Sequence, residues 1–548
     1  MTLPSISTLI AMTAIYGLLL ALSRRPLTSL ALVLYLLGFV LLSSFVKQAY
    51  LGLVTTVADV RFFLLRPKEN FHLFVSYPLL GVSLFGVVVG AVFCLWISMR
   101  LERPLRLFTR ARGAGWWRVA TASLSVLIGA GASLLASPAS QVRADNGDAW
   151  VAFQSMYEQL HPTGLINRIN IFFNNRSFDA TLPNERSQTR FSETPSATGD
   201  AKLRPDIMLV LEESTFDPTM IRACSLPECE QAMMHPLAVA TRTQQGPLLV
   251  HTTGGGTWLA EFAIMSGFDW RVFGRGGAYA PVSLAPRLKI SLPRQLRALG
   301  YRTVAIYPTE GFFLSARSAY EHYGFEEFYD AQELGLPDQW EVAFDRLVFA
   351  KSLQKVQPKA DPRPVFVFVL TIRNHGPHGQ GKVPVPSAYQ KIQPQIGAPI
   401  ADYLARMHDS SQDYLEAASV WLHSPRPRVI AWFGDHQPEA AWDFTEHSER
   451  LNSERTARNV SGEQLKYLTQ YQFSANFGER EQAVSRDALD ISYLGMELLA
   501  FARLPLDSGE SAARQVAVTC NGLLLDCTDH ALIDDYLSFR IHELGAVK

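Results

Sequence analysis

The chain is nearly without net charge: 50 basic and 51 acidic side chains leave −1 over 548 residues. It therefore lacks the basic excess that a nucleic-acid partner requires, and no nucleic acid is expected. Cysteine is scarce, five residues in all. Cys94 falls in an apolar run, and the other four form two close pairs, Cys224/Cys229 and Cys520/Cys527. C-x4-C plus C-x6-C without a nearby histidine set is poor spacing for zinc, so the pairs read as short disulfide loops in an oxidising compartment. No internal repeat is present. No basic segment precedes the first apolar run, which argues against a cleaved leader.

Long apolar runs are crowded into the first 140 residues. Roughly 20 apolar residues cross a bilayer, and Leu3 to Leu22, Leu27 to Phe45, Phe71 to Ser98 and Trp117 to Ala136 approach or exceed that length. A weaker stretch, Tyr50 to Leu65, carries Asp59 and Arg61 and reads either as a fifth span or as an interfacial segment. Arg103, Arg106, Arg110 and Arg112, with Glu102 the one acid among them, hold their loop in the cytoplasm. Everything after about Ser137 then lies outside the inner membrane. Arg24 and Arg25 are cytoplasmic in a four-span arrangement and outside in a five-span one.

Four segments follow from this: a transmembrane domain of four or five helices over 1–139, a helical stalk and polar linker over 140–204, an exported catalytic domain over 205–508, and a C-terminal extension with a disulfide over 509–548. Within the exported part, Ile207 to Leu211, Thr303 to Tyr307, Val365 to Leu370 and Val429 to Phe433 are short apolar runs separated by helical patterns such as "SLPRQLRALG". Strands buried on both faces and separated by helices predict an α/β/α sandwich with a mostly parallel sheet.

Chemistry in such sheets sits beyond the carboxyl ends of the strands. There the sequence places Glu212-Glu213-Ser214, "TIRNHGPH", and the "GDH" of Asp435 and His436. Two acids and a histidine make three corners of a divalent-metal site, with a hydroxyl as the fourth. Thr257 is the candidate hydroxyl: Gly254-Gly255-Gly256 deliver it to the start of an apolar helical pattern, where helix amides face an incoming anion. A bound cation makes such a hydroxyl a nucleophile near neutral pH. The bland alternative for Thr257 is an N-cap, although Glu261 lies four residues on and a capping box needs three.

"DIMLVLEESTFDPT", "GGGTWLAEFAIMSGF", "TIRNHGPH" and "WFGDHQPE" stand in the order seen in the sulfatase-like branch of the alkaline phosphatase superfamily. More narrowly, the chain resembles the membrane-anchored phosphoglycerol transferases, of the lipoteichoic acid synthase and osmoregulated-glucan type. The lipid A phosphoethanolamine transferases are more distant. The resemblance implies that Glu213 (with Glu212 as the alternative), Asp435 and His436 ligate the metal. It makes Thr257 the nucleophile and fourth metal contact. His375 then contacts substrate or protonates the leaving alkoxide, and His378 and Arg317 are further substrate-binding candidates. A solvated helix arginine is the alternative for Arg317.

The expected cofactor is one divalent ion, Mn or Mg, with Zn as the alternative. The expected reaction takes a phosphoglycerol or related group from a phospholipid donor to an envelope glycan or glycolipid, through phosphothreonine. A phosphodiesterase using the same residues and a catalytically silent membrane sensor are the rival readings. A formylglycine sulfatase is disfavoured, because "CSLPE" does not fit C/S-x-P-x-R.

Overall fold

The computed structural model describes residues 3–51, 54–60, 78–105, 108–109, 113–135, 164–174, 180–186, 190–191, 203–220, 226–232, 237–337, 344–356, 361–438, 462–480 and 484–548. The chain divides into two units, Met1–Asp179 and Ala180–Lys548.

In the first unit the apolar runs form helices α1 (Leu3–Ser23), α2 (Pro26–Leu51), α3 (Pro78–Leu101) and α4 (Ala114–Leu135). Of these, Ile6–Ser23 and Pro26–Phe45 are long and apolar enough to cross a membrane. Glu102 accepts the amides of Leu27 and Thr28 at 2.8 and 2.6 Å, satisfying otherwise orphan donors at the start of α2. Arg25 donates to the Glu102 carbonyl at 2.7 Å. Within the Tyr50 to Leu65 stretch, residues 54–60 are described, and Asp59 pairs with Lys47 of α2 at 2.7 Å. Most of the expected stalk and linker lies outside the described residues. Its described helix, α5 (Gly164–Asn174), packs Phe172 and Phe173 against Ala11 and Val40.

The second unit is built on a sheet of β1 (Asp206–Glu212), β2 (Arg242–Leu249), β3 (Arg302–Ile306), β4 (Glu327–Tyr329), β5 (Val365–Leu370), β6 (Arg428–Gly434), β7 (Leu468–Ala475), β8 (Val484–Ser485) and β9 (Leu489–Asp490). The order is β4-β3-β5-β1-β6-β7-β2-β8, with β9 also on β2. Strands β4, β3, β5, β1 and β6 run parallel, and β7 pairs antiparallel with both β6 and β2. All four apolar runs are strands, displaced by at most one residue at an end, so the mostly parallel sheet is as expected.

The period-2 alternation of each strand sends both sets of side chains into a core. Met208, Val210, Val304, Ile306, Val367, Val369, Ile430 and Trp432 join one cluster. There they meet Phe349 of α9 (Asp345–Val356) and Tyr414 and Trp421 of α10 (Ala398–Leu422). Ile207, Leu209 and Leu211 are equally buried. Phe366, paired with Ile207, and Phe368 meet aromatic rings beyond α7 (Leu292–Ala298), Phe368 touching Tyr320 of α8 (Ala316–Tyr323).

Strand β2 tolerates Pro247 because β8 pairs with Gln244 and Gln245 and β9 with Leu248 and Leu249, so the proline faces the gap between them. The C-terminal stretch folds into this unit through α11 (Leu494–Phe501), α12 (Ser508–Thr519) and α13 (His530–Ser538). Cys520 and Cys527 form the expected disulfide. Cys229 is also disulfide-bonded, while Cys224 lies outside the described residues.

Candidate metal and phosphoryl-transfer site

Three segments converge beyond the carboxyl ends of the sheet. The first is the turn after β1. Ser214 adopts φ 50°, an unusual conformation for a residue with a side chain, and its hydroxyl donates to Glu213 Oε1 at 2.8 Å. The second is the turn after β6, and its glycine is required there. A Cβ on Gly434 would stand 1.7 Å from the Thr215 carbonyl oxygen. That close approach lets the Ser214 amide donate to Asp435 Oδ1 at 2.8 Å. The third is the triple-glycine turn after β2, where Gly254, Gly255 and Gly256 all take positive φ. It opens α6 (Thr257–Ser266), in which Gly256 is the N-cap and Thr257 the first helical residue. The hydroxyl of Thr257 is therefore not used as a cap.

That hydroxyl turns to the other two segments. Thr257 Oγ1 donates to Glu213 Oε2 at 3.3 Å and lies 3.4 Å from His436 Nε2. His436 Nε2 stands 3.5 Å from Glu213 Oε1 and 3.1 Å from Asp435 Oδ2. One ligand atom from each of Glu213, Asp435 and His436 falls within 4.8 Å of the others, and all three residues are buried. His436 Nδ1–H donates to the Gln437 carbonyl at 3.1 Å, leaving a lone pair on Nε2 in the neutral ring.

Two further features fit this set to a divalent cation. Asp435 Oδ2 is buried and accepts no hydrogen bond. Burial, and then the charge of Asp435, push the Glu213 carboxyl up to about 8. Carboxylates so placed lack a positive charge, which a cation would supply. Glu212, the alternative ligand, points elsewhere: its Oε2 accepts from Thr371 and Ser410 at 3.2 and 3.0 Å.

His375 and His378 lie on the loop after β5, next to β1 in the sheet. Asn374 Nδ2 donates to Thr215 Oγ1 at 3.0 Å and joins this loop to the turn that holds Glu213. His375 Nδ1–H donates to the Gly376 carbonyl at 2.7 Å. His378 Nε2–H donates to the Asn374 carbonyl at 2.9 Å, and burial, followed by Arg406, drives its pKa down to about 4. A neutral ring so engaged braces the loop. Arg317 is engaged by two carboxylates and a ring. Its guanidinium pairs with Asp330 and Glu333 at 2.8 and 2.6 Å and lies 4.7 Å above the Phe328 ring.

A second cluster, His251, Asp269 and Asp490, also has metal-ligand atoms within 4.8 Å. Here Arg271 already supplies the cation, with three of its bonds to the Asp269 side chain between 2.6 and 3.0 Å. Sequence reasoning also passed over Arg540. Its guanidinium donates to the Ser266 and Gly267 carbonyls at 2.9 and 2.8 Å and caps the far end of the helix that carries Thr257.

Residues 205–465 match the family model for sulfatases. An uncharacterized protein of Haemophilus influenzae is 28% identical over 398 residues, 69% of this chain and 68% of the relative. A putative cyclic beta-1,2-glucan modification protein of Rhizobium meliloti is 23% identical over 266 residues, 46% of this chain and 39% of its own length. Among solved structures, a Streptococcus pyogenes phosphoglycerol transferase in complex with sn-glycerol-1-phosphate aligns with a TM-score of 0.47 at 15% identity, covering 63% of this chain and 87% of that one. Glu213, Thr257, Asp435 and His436 all fall within the residues that match the sulfatase family model.

Proposed function

We propose that the protein is a membrane-anchored transferase. It moves a phosphoglycerol or related phospho-alcohol group from a phospholipid to an envelope glycan or glycolipid, by way of phosphothreonine at Thr257. The observation that carries this reading is the Thr257 hydroxyl, 3.3 and 3.4 Å from two members of a buried acid-and-histidine cluster. The similarity to a glucan modification protein accords with a glycan acceptor.

Glu213, Asp435 and His436 would hold one divalent ion, with Thr257 as a fourth contact. Two carboxylates and a hydroxyl favour Mn or Mg over Zn. When bound, the ion supplies the positive charge that lowers the Thr257 hydroxyl pKa and offsets phosphate charge. The N-terminal amides of α6 receive phosphate oxygens. Thr257 first gives up its hydroxyl proton to solvent; its Oγ then attacks phosphorus, the bond to the diacylglycerol oxygen breaks, and protonated His375 gives its proton to that leaving oxygen. An acceptor hydroxyl next yields its proton to His375 and takes the phosphoglycerol or related group, returning the ionised Thr257 oxygen for the next cycle.

Helices α1 to α4 form the proposed four-span anchor of an inner-membrane protein, with the catalytic domain on the periplasmic or extracellular side. The bond from Arg25 to Glu102 supports four spans, since it keeps Arg25 on the same side as the basic loop after α3. Tethering at the membrane raises the effective concentration of a lipid donor.

The test is incubation of the purified full chain, loaded with Mn, with headgroup-labelled phosphatidylglycerol. Label on Thr257 and release of diacylglycerol are expected. Turnover by Thr257→Ala equal to the parent's would end the proposal, and label passing to water as fast as to an added glucan would make the protein a hydrolase.

A further inference from the structure

Helix α10 carries Asp402, Arg406 and Ser410 at successive intervals of four, so they share one face. All three are buried. A stripe of charge on a buried helix face costs desolvation, and a well-packed apolar pair would stabilise the fold as well or better. What the charged pair adds is directional bonding to a loop that has no regular structure of its own.

Arg406 uses its planar fork fully. Nε and Nη2 donate to Asp402 Oδ1 and Oδ2 at 2.9 and 2.8 Å. Nη1 donates to the His375 carbonyl at 3.0 Å and Nη2 to the Pro377 carbonyl at 3.3 Å. Asp402 Oδ2 also accepts the Gly379 amide at 2.7 Å. The pair therefore grips the loop at residues 375, 377 and 379. Next to Asp402, Tyr403 donates to the Ser214 carbonyl at 2.8 Å, one residue beyond Glu213. One rigid helix thus sets the His375 loop and the Glu213 turn relative to each other.

We propose that Asp402 and Arg406 are positioning residues for proton delivery: they fix His375 where it can protonate the departing alkoxide. This rests on the general-acid reading of His375 given above. Neither residue touches the reacting atoms. In the first transfer, to Thr257, misplacing the acid slows only reactions whose leaving oxygen needs a proton; the return step, in which His375 takes the acceptor's proton, is common to all donors. The P–O bond to p-nitrophenolate breaks without one, whereas the bond to a diacylglycerol oxygen does not.

The experiment compares the Mn-loaded full chain with Arg406→Lys, Asp402→Asn and His375→Ala by the first-turnover release of diacylglycerol from phosphatidylglycerol and of p-nitrophenolate from p-nitrophenyl phosphoglycerol, the step before His375 acts on the acceptor. Lysine keeps the charge but loses the fork. Arg406→Lys is expected to lose roughly 100-fold on the lipid, within the range a general acid contributes, and only a few-fold on the aryl ester. Asp402→Asn should shift the ratio in the same direction by less. Because both substrates are read in one preparation, the ratio does not depend on the folded fraction. Equal loss on both substrates by Arg406→Lys, down to complete loss of both, overturns the inference. If that variant does not fold, Asp402→Asn is judged by the same ratio. His375→Ala separates the two levels: no change in its ratio removes the general-acid role itself, whereas a changed ratio there with an unchanged one in Arg406→Lys removes only the positioning role.

Discussion

The Gly254 amide donates to the Gln437 carbonyl at 2.8 Å, so the turn delivering Thr257 and the turn delivering Asp435 and His436 are joined by a backbone bond. Gln437 is itself anchored, its side chain donating to the Leu465 and Leu468 carbonyls at 2.6 and 2.8 Å. The proposed nucleophile and the proposed metal ligands are thereby held in register before any substrate arrives.

The glycine at the head of α6 is open to a direct test. Gly256 has φ 88°, and a Cβ there would meet Thr252 at 3.1 Å. Gly256→Ala should cost about 1–2 kcal/mol for the left-handed backbone and, by moving Thr257, slow turnover on the order of 100-fold. Chemical denaturation and steady-state kinetics measure the two effects separately.

Metal binding and nucleophilicity should come apart. Thr257→Ala leaves Glu213, Asp435 and His436 in place, so elemental analysis is expected to find metal close to the parent's content while turnover is lost. Asp435→Asn removes the buried, unpartnered carboxylate oxygen and should lose metal and turnover together. Equal metal loss in both variants would contradict this division.

Without metal, stability should fall as pH rises. Glu261 and Glu510 are each pushed up to about 8, chiefly by burial. The folded chain thus keeps protons that the unfolded chain releases near 4.5. Their contribution is complete below that value and is lost as pH climbs to about 8. Urea midpoints of the chelator-treated protein at pH 5.5 and 8 should show the decline, and Glu510→Gln should flatten part of it.

Closure of the short loop between Cys520 and Cys527, seven residues apart, contributes about 2.5 kcal/mol by the loop-entropy relation. Replacing both cysteines with serine should lower the denaturation midpoint accordingly. The disulfide is remote from Thr257 in sequence and bonds to none of the site residues, so kcat should hold.

The central strands were legible because β1, β3, β5 and β6 are apolar on both faces. Strand β2, "RTQQGPLL", was not: it is half polar and contains Gly246 and Pro247, and its neighbours define it as a strand. The acids and histidine at the strand ends were readable because a parallel sheet presents its loops at one edge. Arg317 rests on the resemblance alone, and its pairing with Asp330 and Glu333 has no signal in the local sequence. Asp402 and Arg406 went unnoticed because acid and arginine four apart read as an ordinary exposed helix pair. Arg540 reaches a helix end 274 residues away in sequence, which no local pattern announces.

The order of the strands separates two tasks. The side chains proposed to ligate metal arise from neighbours β1 and β6, whereas Thr257 arrives from β2, on the far side of the lone antiparallel strand β7. The proposed cation ligands and the proposed attacking group therefore come from separate parts of the sheet and meet through the bond between Gly254 and Gln437. A different nucleophile grafted onto the glycine turn would meet the three proposed ligands already in place, making that turn the place to begin re-engineering the chemistry.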